Sequence, residues 1–145
     1  IIPTIITQLR KKQNIIKLGN LSPTRDFTYV DDTVEAFVSC LGNKKISGEV
    51  FNIGNNFEIS IKNILKIIEK DFGFQFEVSL DKKRIRAKKS EVYRLFSSNV
   101  KAKKILKWSP KYNGLKGFKR ALEKTMNWFK DSKNIKYYKS DIYNI

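Results

Sequence analysis

The sequence predicts an α/β chain of mixed short strands and helices. Three observations carry that prediction: apolar residues recur at helical spacing, short β-branched and aromatic runs lie between them, and Gly, Pro, Ser and Asn punctuate the junctions. With 41% apolar and 30% charged residues over 145 positions, the composition is globular and the chain is long enough to bury a core.

The elements follow in order. Pro3 ahead of Ile5, Ile6 and Leu9 predicts a short helix with proline in its first turn, ending in Arg10-Lys11-Lys12. Ile15 to Leu18 is a strand candidate closed by Gly19-Asn20. Arg25 to Val30 alternates Phe27 and Tyr29 with polar neighbours as an extended segment. Asp32 with Glu35 three residues on forms a capping-box signal, and Val34, Phe37, Val38 and Leu41 fall at i, i+3, i+4 and i+7, with Gly42 as the stop. Val50, Phe51 and Ile53 make an almost continuous apolar strand of the kind buried in a sheet.

Ser60 then caps a helix carrying Ile61, Ile64, Leu65, Ile68 and Phe72, which stops at Gly73. Phe74 to Leu80 alternates as a strand and runs into a basic loop at 82–89. A helix around Val100 to Leu106 and a last one from Leu115 to Phe129, with Phe118, Leu122, Met126 and Phe129 on one face, complete the body. The tail to Ile145, with Tyr137, Tyr138 and Tyr143, is expected to pack back on the surface or on an absent partner segment. No repeat or linker-like break divides the chain, which reads as a single portion over 1–145.

Lys and Arg number 30 against 14 Asp and Glu, a formal charge of +16. Residues 1–72 carry 10 basic and 8 acidic side chains, whereas the remainder carries 20 and 6, so the positive field belongs to the C-terminal half. Its densest stretch is Lys82, Lys83, Arg84, Arg86, Lys88 and Lys89, a pattern suited to phosphates. Lysine, isoleucine and asparagine supply 24, 18 and 12 residues, a bias that an AT-rich genome explains without any nucleic-acid function. The six arginines are the more selective signal: Arg10, Arg25, Arg84, Arg86, Arg94 and Arg120.

Several chemistries are excluded. The chain has no histidine and one cysteine, Cys40, so it has no imidazole catalyst, no Cys/His zinc site and no internal disulfide. A reducing, cytoplasmic setting is expected, and no apolar run approaches the roughly 18 residues that would span a bilayer. The only methionine is Met126, so the chain opens at Ile1 without an initiator and reads as a C-terminal fragment. Its seven glycines, at 19, 42, 48, 54, 73, 114 and 117, make neither a dinucleotide fingerprint nor a P-loop. Tyr112 and Lys116 have Tyr-x-x-x-Lys spacing, but Pro110 and Gly114 argue against the regular helix that would bring both to one face. Asp31 and Asp32, a possible carboxylate pair, are better explained by capping at a helix start.

Four segments in order then carry a resemblance: Arg25-Asp26-Phe27-Thr28-Tyr29-Val30-Asp31-Asp32, Val50-Phe51-Asn52-Ile53-Gly54, Arg84-Ile85-Arg86 with Ser90-Glu91-Val92, and Trp108-Ser109-Pro110. Over essentially its whole length the chain resembles the C-terminal substrate-binding part of extended short-chain dehydrogenase/reductases, the Rossmann-type, NAD-dependent nucleotide-sugar epimerases and 4,6-dehydratases. Ile2-Pro3-Thr4-Ile5-Ile6, Asn56-Phe57-Glu58-Ile59-Ser60-Ile61 and the ending Ser140-Asp141-Ile142-Tyr143-Asn144-Ile145 look most like bacterial dehydratases acting on nucleotide-activated N-acetylglucosamine, of the legionaminic acid type.

The resemblance implies a set of roles. Arg25 matches the family arginine that reaches the ligand diphosphate, and a planar guanidinium on a short rigid segment suits bidentate contact with phosphate. Arg86 matches a second arginine that closes over the same group, although Ala87 stands where the family carries proline, which leaves the register between Arg84 and Arg86 open; Arg94 is a further candidate. Asn52 corresponds to a polar contact near the nucleotide sugar, and Leu18 and Pro3 to positions flanking the nucleobase, where apolar residues are more often core.

In the family, hydride passes from sugar C4 to NAD, dehydratases then lose water across C5 and C6, and the hydride returns to C6. By the resemblance, NAD and the catalytic tyrosine, lysine and carboxylic residues belong to an N-terminal Rossmann segment absent from this chain. These 145 residues would supply no catalytic, cofactor-binding or metal-ligating group and would be inactive alone. The expected partner is a UDP-, GDP- or dTDP-linked sugar, and the intact enzyme is expected to be a homodimer without a membrane segment. The rival readings are a small basic nucleic-acid-binding module using 82–89, or an inactive fragment. No aromatic residues are interleaved with that basic run as stacking platforms, which counts against nucleic acid.

Overall fold

The computed structural model describes residues 1–11, 14–85, 90–136 and 138. In chain order the elements are helix α1 (Ile2–Arg10), strands β1 (Ile15–Leu18) and β2 (Thr24–Asp26), helix α2 (Val30–Cys40), strand β3 (Glu58–Ser60), helix α3 (Ile61–Phe72), strands β4 (Glu77–Leu80) and β5 (Arg94–Leu95), and helices α4 (Val100–Leu106), α5 (Gly114–Trp128) and α6 (Ser132–Ile135). The expected α/β mixture of short strands and helices is therefore present. The chain divides into two compact units, one built from residues 1–23, 60–93 and 122–145, the other from 24–59 and 94–121.

In the first unit β1 and β4 pair in parallel, with Ile16 opposite Val78 and Leu18 opposite Leu80. Ile16 and Leu18 are buried together with Ile5, Ile6 and Leu9 of α1, Ile64 and Ile68 of α3, and Leu122 and Met126 from the end of α5. Gln8 joins helix to strand: its amide donates to the Lys17 carbonyl at 3.1 Å and accepts the Lys17 N–H at 2.8 Å, so a buried polar side chain stands in for a neighbouring strand. Ser60 Oγ accepts the Asn63 N–H at 3.2 Å and Gly73 closes the same helix, so both ends of α3 are as the sequence predicts.

The second unit holds the sheet β3-β2-β5, in which β2 and β5 run parallel with Thr24 opposite Arg94 and Arg25 opposite Leu95. Its core gathers Ala36 of α2, Ala102 and Leu106 of α4, and Trp108, with Cys40, Ile46, Phe51 and Ile53 packed against them. Phe27 and Phe57 both lie against Phe118, at centroid distances of 5.9 and 6.5 Å.

Three expectations change here. First, Asp32 is not a cap. The residue before α2 is Tyr29, and no side chain caps the helix. Asp32 lies within the first turn, fully buried at 0% exposure, and its carboxylate accepts the N–H of Lys111 at 2.7 Å and of Tyr112 at 3.1 Å. The Trp108 indole N–H donates to the Asp32 carbonyl at 3.0 Å. Asp32 thus serves a distant loop rather than its own helix terminus. Second, the face of α2 that packs inward is Asp32, Ala36 and Cys40, at i, i+4 and i+8. The apolar stripe of Val34, Phe37, Val38 and Leu41 stays exposed, with Phe37 at 73% and Leu41 at 77%. Small residues at 36 and 102 let α2 approach α4 closely, which the bulkier stripe would prevent. Third, residues 50–53 form no strand, and Val50 is 78% exposed. A strand exists only where a neighbour takes its backbone hydrogen bonds, and no described strand lies beside this segment.

Removing the Asp32 carboxylate leaves two loop amides without their charged acceptor. Asp32→Ala is therefore expected to lower stability by about 2 to 4 kcal/mol, and Asp32→Asn, which keeps one acceptor oxygen, by less. Urea unfolding monitored by tryptophan fluorescence checks this, and an Asp32→Ala loss below about 0.5 kcal/mol would contradict it.

Candidate functional site

The residues singled out in the sequence divide between the two units. Pro3 and Leu18 belong to the first. Pro3 occupies the first turn of α1 and is half-buried, whereas Leu18 ends β1 at 1% exposure, a core side chain. The same unit fixes the approach to the basic loop. The Asp81 N–H continues the β1–β4 ladder to the Leu18 carbonyl at 2.8 Å, and Asp81 Oδ1 accepts the Lys83 N–H at 3.0 Å. Arg84 Nε meets Asp81 Oδ2 at 3.3 Å with its side chain only 10% exposed. A Cβ on Gly19 would sit 2.3 Å from the Arg84 carbonyl oxygen, so the backbone at 84 rests directly on that glycine. Arg84 is thereby committed to Asp81. Arg86 lies outside the described residues.

Arg25, Asn52 and Arg94 belong to the second unit. Arg25 is half-buried on β2, and one of its guanidinium nitrogens donates to the Thr24 carbonyl at 2.7 Å. Arg94, on β5, pairs with Glu58 of β3: both Nε and Nη2 lie 2.7 Å from Glu58 Oε1. The Thr24 hydroxyl donates to Glu58 Oε2 at 2.6 Å, and the Arg94 guanidinium also lies over the Phe96 ring at 4.9 Å. All three strands of the sheet therefore meet at Glu58. Asn52 is exposed and lines a cleft of about 280 Å³ together with Asp26, Thr28, Leu95, Phe96 and Ser97. Arg25 is not among the residues lining that cleft.

Two residues that sequence reasoning passed over organise this region. Asp26 accepts three backbone N–H groups, from Asn55 at 2.8 Å, Asn56 at 3.0 Å and Ser97 at 3.3 Å. Asn55, 1% exposed, donates its amide to the carbonyls of Phe27 at 3.2 Å and Tyr112 at 2.9 Å, and its Oδ1 has no partner among the described residues. Asp26 follows Arg25 in its motif, and Asn55 falls between the motif segments 50–54 and 56–61. Neither position shows in sequence that its side chain turns to the backbone, Asp26 to N–H groups and Asn55 to carbonyls.

Tyr112 lies in the turn before α5 and Lys116 lies within that helix, so the Tyr-x-x-x-Lys pair does not share a regular helical face. The Tyr112 ring instead packs at a tilt against Tyr29, with centroids 4.6 Å apart, and lies under the Arg120 guanidinium at 5.4 Å. The seven glycines of the sequence nowhere fall as Gly-x-Gly-x-x-Gly, so the chain's own residues do not fit a dinucleotide pyrophosphate. Among the described residues no group of three His, Cys, Asp or Glu side chains is placed to hold a metal ion, and no helix is long and apolar enough to cross a membrane.

The hydrogen bond from Arg94, joined by that from Thr24, holds the Glu58 carboxyl below its ordinary value, and the same pairing raises Arg94. A carboxyl depressed in the folded state stabilises the fold above its unfolded pKa and loses that contribution as pH falls through the folded value. Glu58→Gln is accordingly expected to destabilise the chain modestly at neutral pH, with the difference from the parent closing as pH drops below about 4.5. Urea titrations of both forms between about pH 7 and 3 check this; a difference that stays constant over that range would contradict it.

The GDP-mannose 4,6 dehydratase family model matches residues 1–121. A UDP-glucuronate 4-epimerase of Thermodesulfobacterium geofontis is 32% identical over 123 residues, covering 84% of this chain and 34% of that protein. A dTDP-D-glucose 4,6-dehydratase of Homo sapiens is 30% identical over 137 residues, covering 91% and 37%. The solved UDP-glucuronic acid 4-epimerase of Bacillus cereus, in complex with UDP-glucuronic acid and NAD, superposes with a TM-score of 0.72 at 29% identity, covering 88% of this chain and 38% of that one. The chain thus spans under two-fifths of the length of these relatives. It belongs to the GDP-mannose 4,6 dehydratase family, among the Rossmann-type nucleotide-sugar epimerases and dehydratases.

Proposed function

We propose that the chain is the C-terminal substrate-binding portion of an NAD-dependent nucleotide-sugar 4,6-dehydratase or 4-epimerase, and that its role is to hold the nucleotide diphosphate. The observation that carries this is the family match over residues 1–121 together with the Arg25-Asp26-Phe27 segment, which is tied to the loop bearing Asn52. Arg25 and Arg86 are the proposed diphosphate contacts, Asn52 a polar contact to the nucleotide sugar, and Arg94 a further cation held at the sheet by Glu58. The sugar proposed is an N-acetylglucosamine carried on a nucleotide, from the motifs at 2–6 and 56–61.

Relatives of both reaction types match, so dehydration and epimerisation are equally supported. Elimination or epimerisation at the sugar, with NAD as the redox partner, is assigned to a segment beyond these residues, because the glycines here make no dinucleotide cradle. The second unit supports that assignment. Val30, Val34, Phe37, Val38 and Leu41 leave one face of α2 apolar and exposed, and the strand-like Val50-Phe51-Asn52-Ile53 that follows has no strand partner among the described residues. A helix with an uncovered apolar stripe, followed by an unpaired apolar segment, is what half of an α/β layer looks like without its sheet. The cytoplasm is the proposed location, and a homodimer the proposed state of the intact enzyme.

Charge-assisted hydrogen bonds to phosphate set the expected effects. Arg25→Ala and Arg86→Ala should each weaken binding of a UDP-sugar by about 1 to 3 kcal/mol. Titration calorimetry measures this, and unchanged affinity in both variants would overturn the diphosphate assignment.

A further inference from the structure

Asp26 stands one residue from Arg25 on the central strand of β3-β2-β5, and its carboxylate turns to backbone amides. Its hydrogen bonds go to the backbone N–H groups of Asn55, Asn56 and Ser97, which belong to two separate loops. One loop, between residue 46 and β3, contains Asn52; the other follows the strand that bears Arg94. The fit between them is tight: a Cβ on Gly54 would come within 2.4 Å of the Ser97 Cβ and 3.1 Å of Asp26 Oδ2, so only glycine lets the loops meet at the carboxylate. Asn56 takes the left-handed backbone conformation, at φ 53°, and its N–H then reaches Asp26 Oδ2. Asn99 holds the same loop from the other side by donating to the Gly54 carbonyl at 2.9 Å. Asp26 and Asn52 line one cleft.

We infer that Asp26 is a positioning residue for ligand binding, fixing the 52–56 loop against the 97 loop so that the Asn52 amide is presented at the cleft wall. This rests on the proposed function, since it assumes a nucleotide diphosphate in reach of Asn52. Hydrogen bonds from backbone amides to a carboxylate are directional and stronger than neutral ones, so replacing the carboxylate by an amide loosens the loop without removing the side chain's bulk. An amide offers one acceptor oxygen where three donors converge.

A double-mutant cycle with UDP as the probe, on the whole 145-residue chain, tests the inference. The parent is titrated first. If it does not bind UDP, the functional reading fails and the inference falls with it. If it binds, Asp26→Asn is expected to weaken UDP about tenfold, and to have little further effect in an Asn52→Ala background, because the path from Asp26 to ligand runs through Asn52. An equal loss in both backgrounds would make Asp26 merely structural, and no loss would refute the role outright; either overturns the inference while leaving the functional reading intact. Should Asp26→Asn fail to fold, amide NMR of the parent decides: saturating UDP is expected to shift the Asn55, Asn56 and Ser97 N–H signals together with the Asn52 side-chain amide. Shifts elsewhere without these four would overturn the inference.

Discussion

A fully buried carboxylate, Asp32, takes up the backbone amides of residues 111 and 112, and the second unit is arranged around that fact. Burying a carboxylate is costly unless its oxygens are satisfied. Here the satisfaction comes from the turn ahead of α5 rather than from a cation. The same turn receives the Asn55 amide through the Tyr112 carbonyl, and Trp108 reaches back to the Asp32 carbonyl. Asp26 repeats the device through three loop amides, those of Asn55, Asn56 and Ser97. Short strands of two to four residues cannot order long loops by ladder bonds alone, so side-chain carboxylates act as local organisers.

The two faces of α2 show how packing and function diverge on one helix. Asp32, Ala36 and Cys40 meet α4 and Trp108, while the larger Val34, Phe37, Val38 and Leu41 face outward. Burying one such side chain contributes about 1.5 to 3 kcal/mol, so leaving four exposed forgoes a stabilisation comparable to that of a whole domain. An apolar face of that size on a helix is the mark of a surface meant to be covered.

Helix periodicity and caps were legible from sequence because they are local. Ser60 and Gly73 bracket α3, Pro3 opens α1, and the Phe118, Leu122, Met126 and Phe129 face of the last helix is buried. What failed was long-range. The Asp32 and Glu35 spacing imitates a capping box, but the partner of Asp32 lies some 80 residues away. The stripe on α2 obeys helical periodicity, which identifies an apolar face without saying whether this chain covers it. Residues 50–53 have strand composition and lack a neighbour. Among site residues, Arg25 and Asn52 stood out by motif, whereas Asp26 and Asn55 did not, because a carboxylate that accepts backbone N–H groups, or an amide that donates to backbone carbonyls, leaves no pattern in side-chain spacing. Arg84 and Arg94 are each paired with a carboxylate, Asp81 and Glu58, which their positions in sequence do not reveal.

The function proposed for this member of the family is recognition of a nucleotide through its diphosphate. Comparing UDP with uridine by titration calorimetry isolates that group, since the two share base and ribose. The account predicts that UDP binds at least about tenfold more tightly, the margin expected when charged hydrogen bonds to phosphate are lost. Equal affinity for the two, or no binding of UDP, would contradict it.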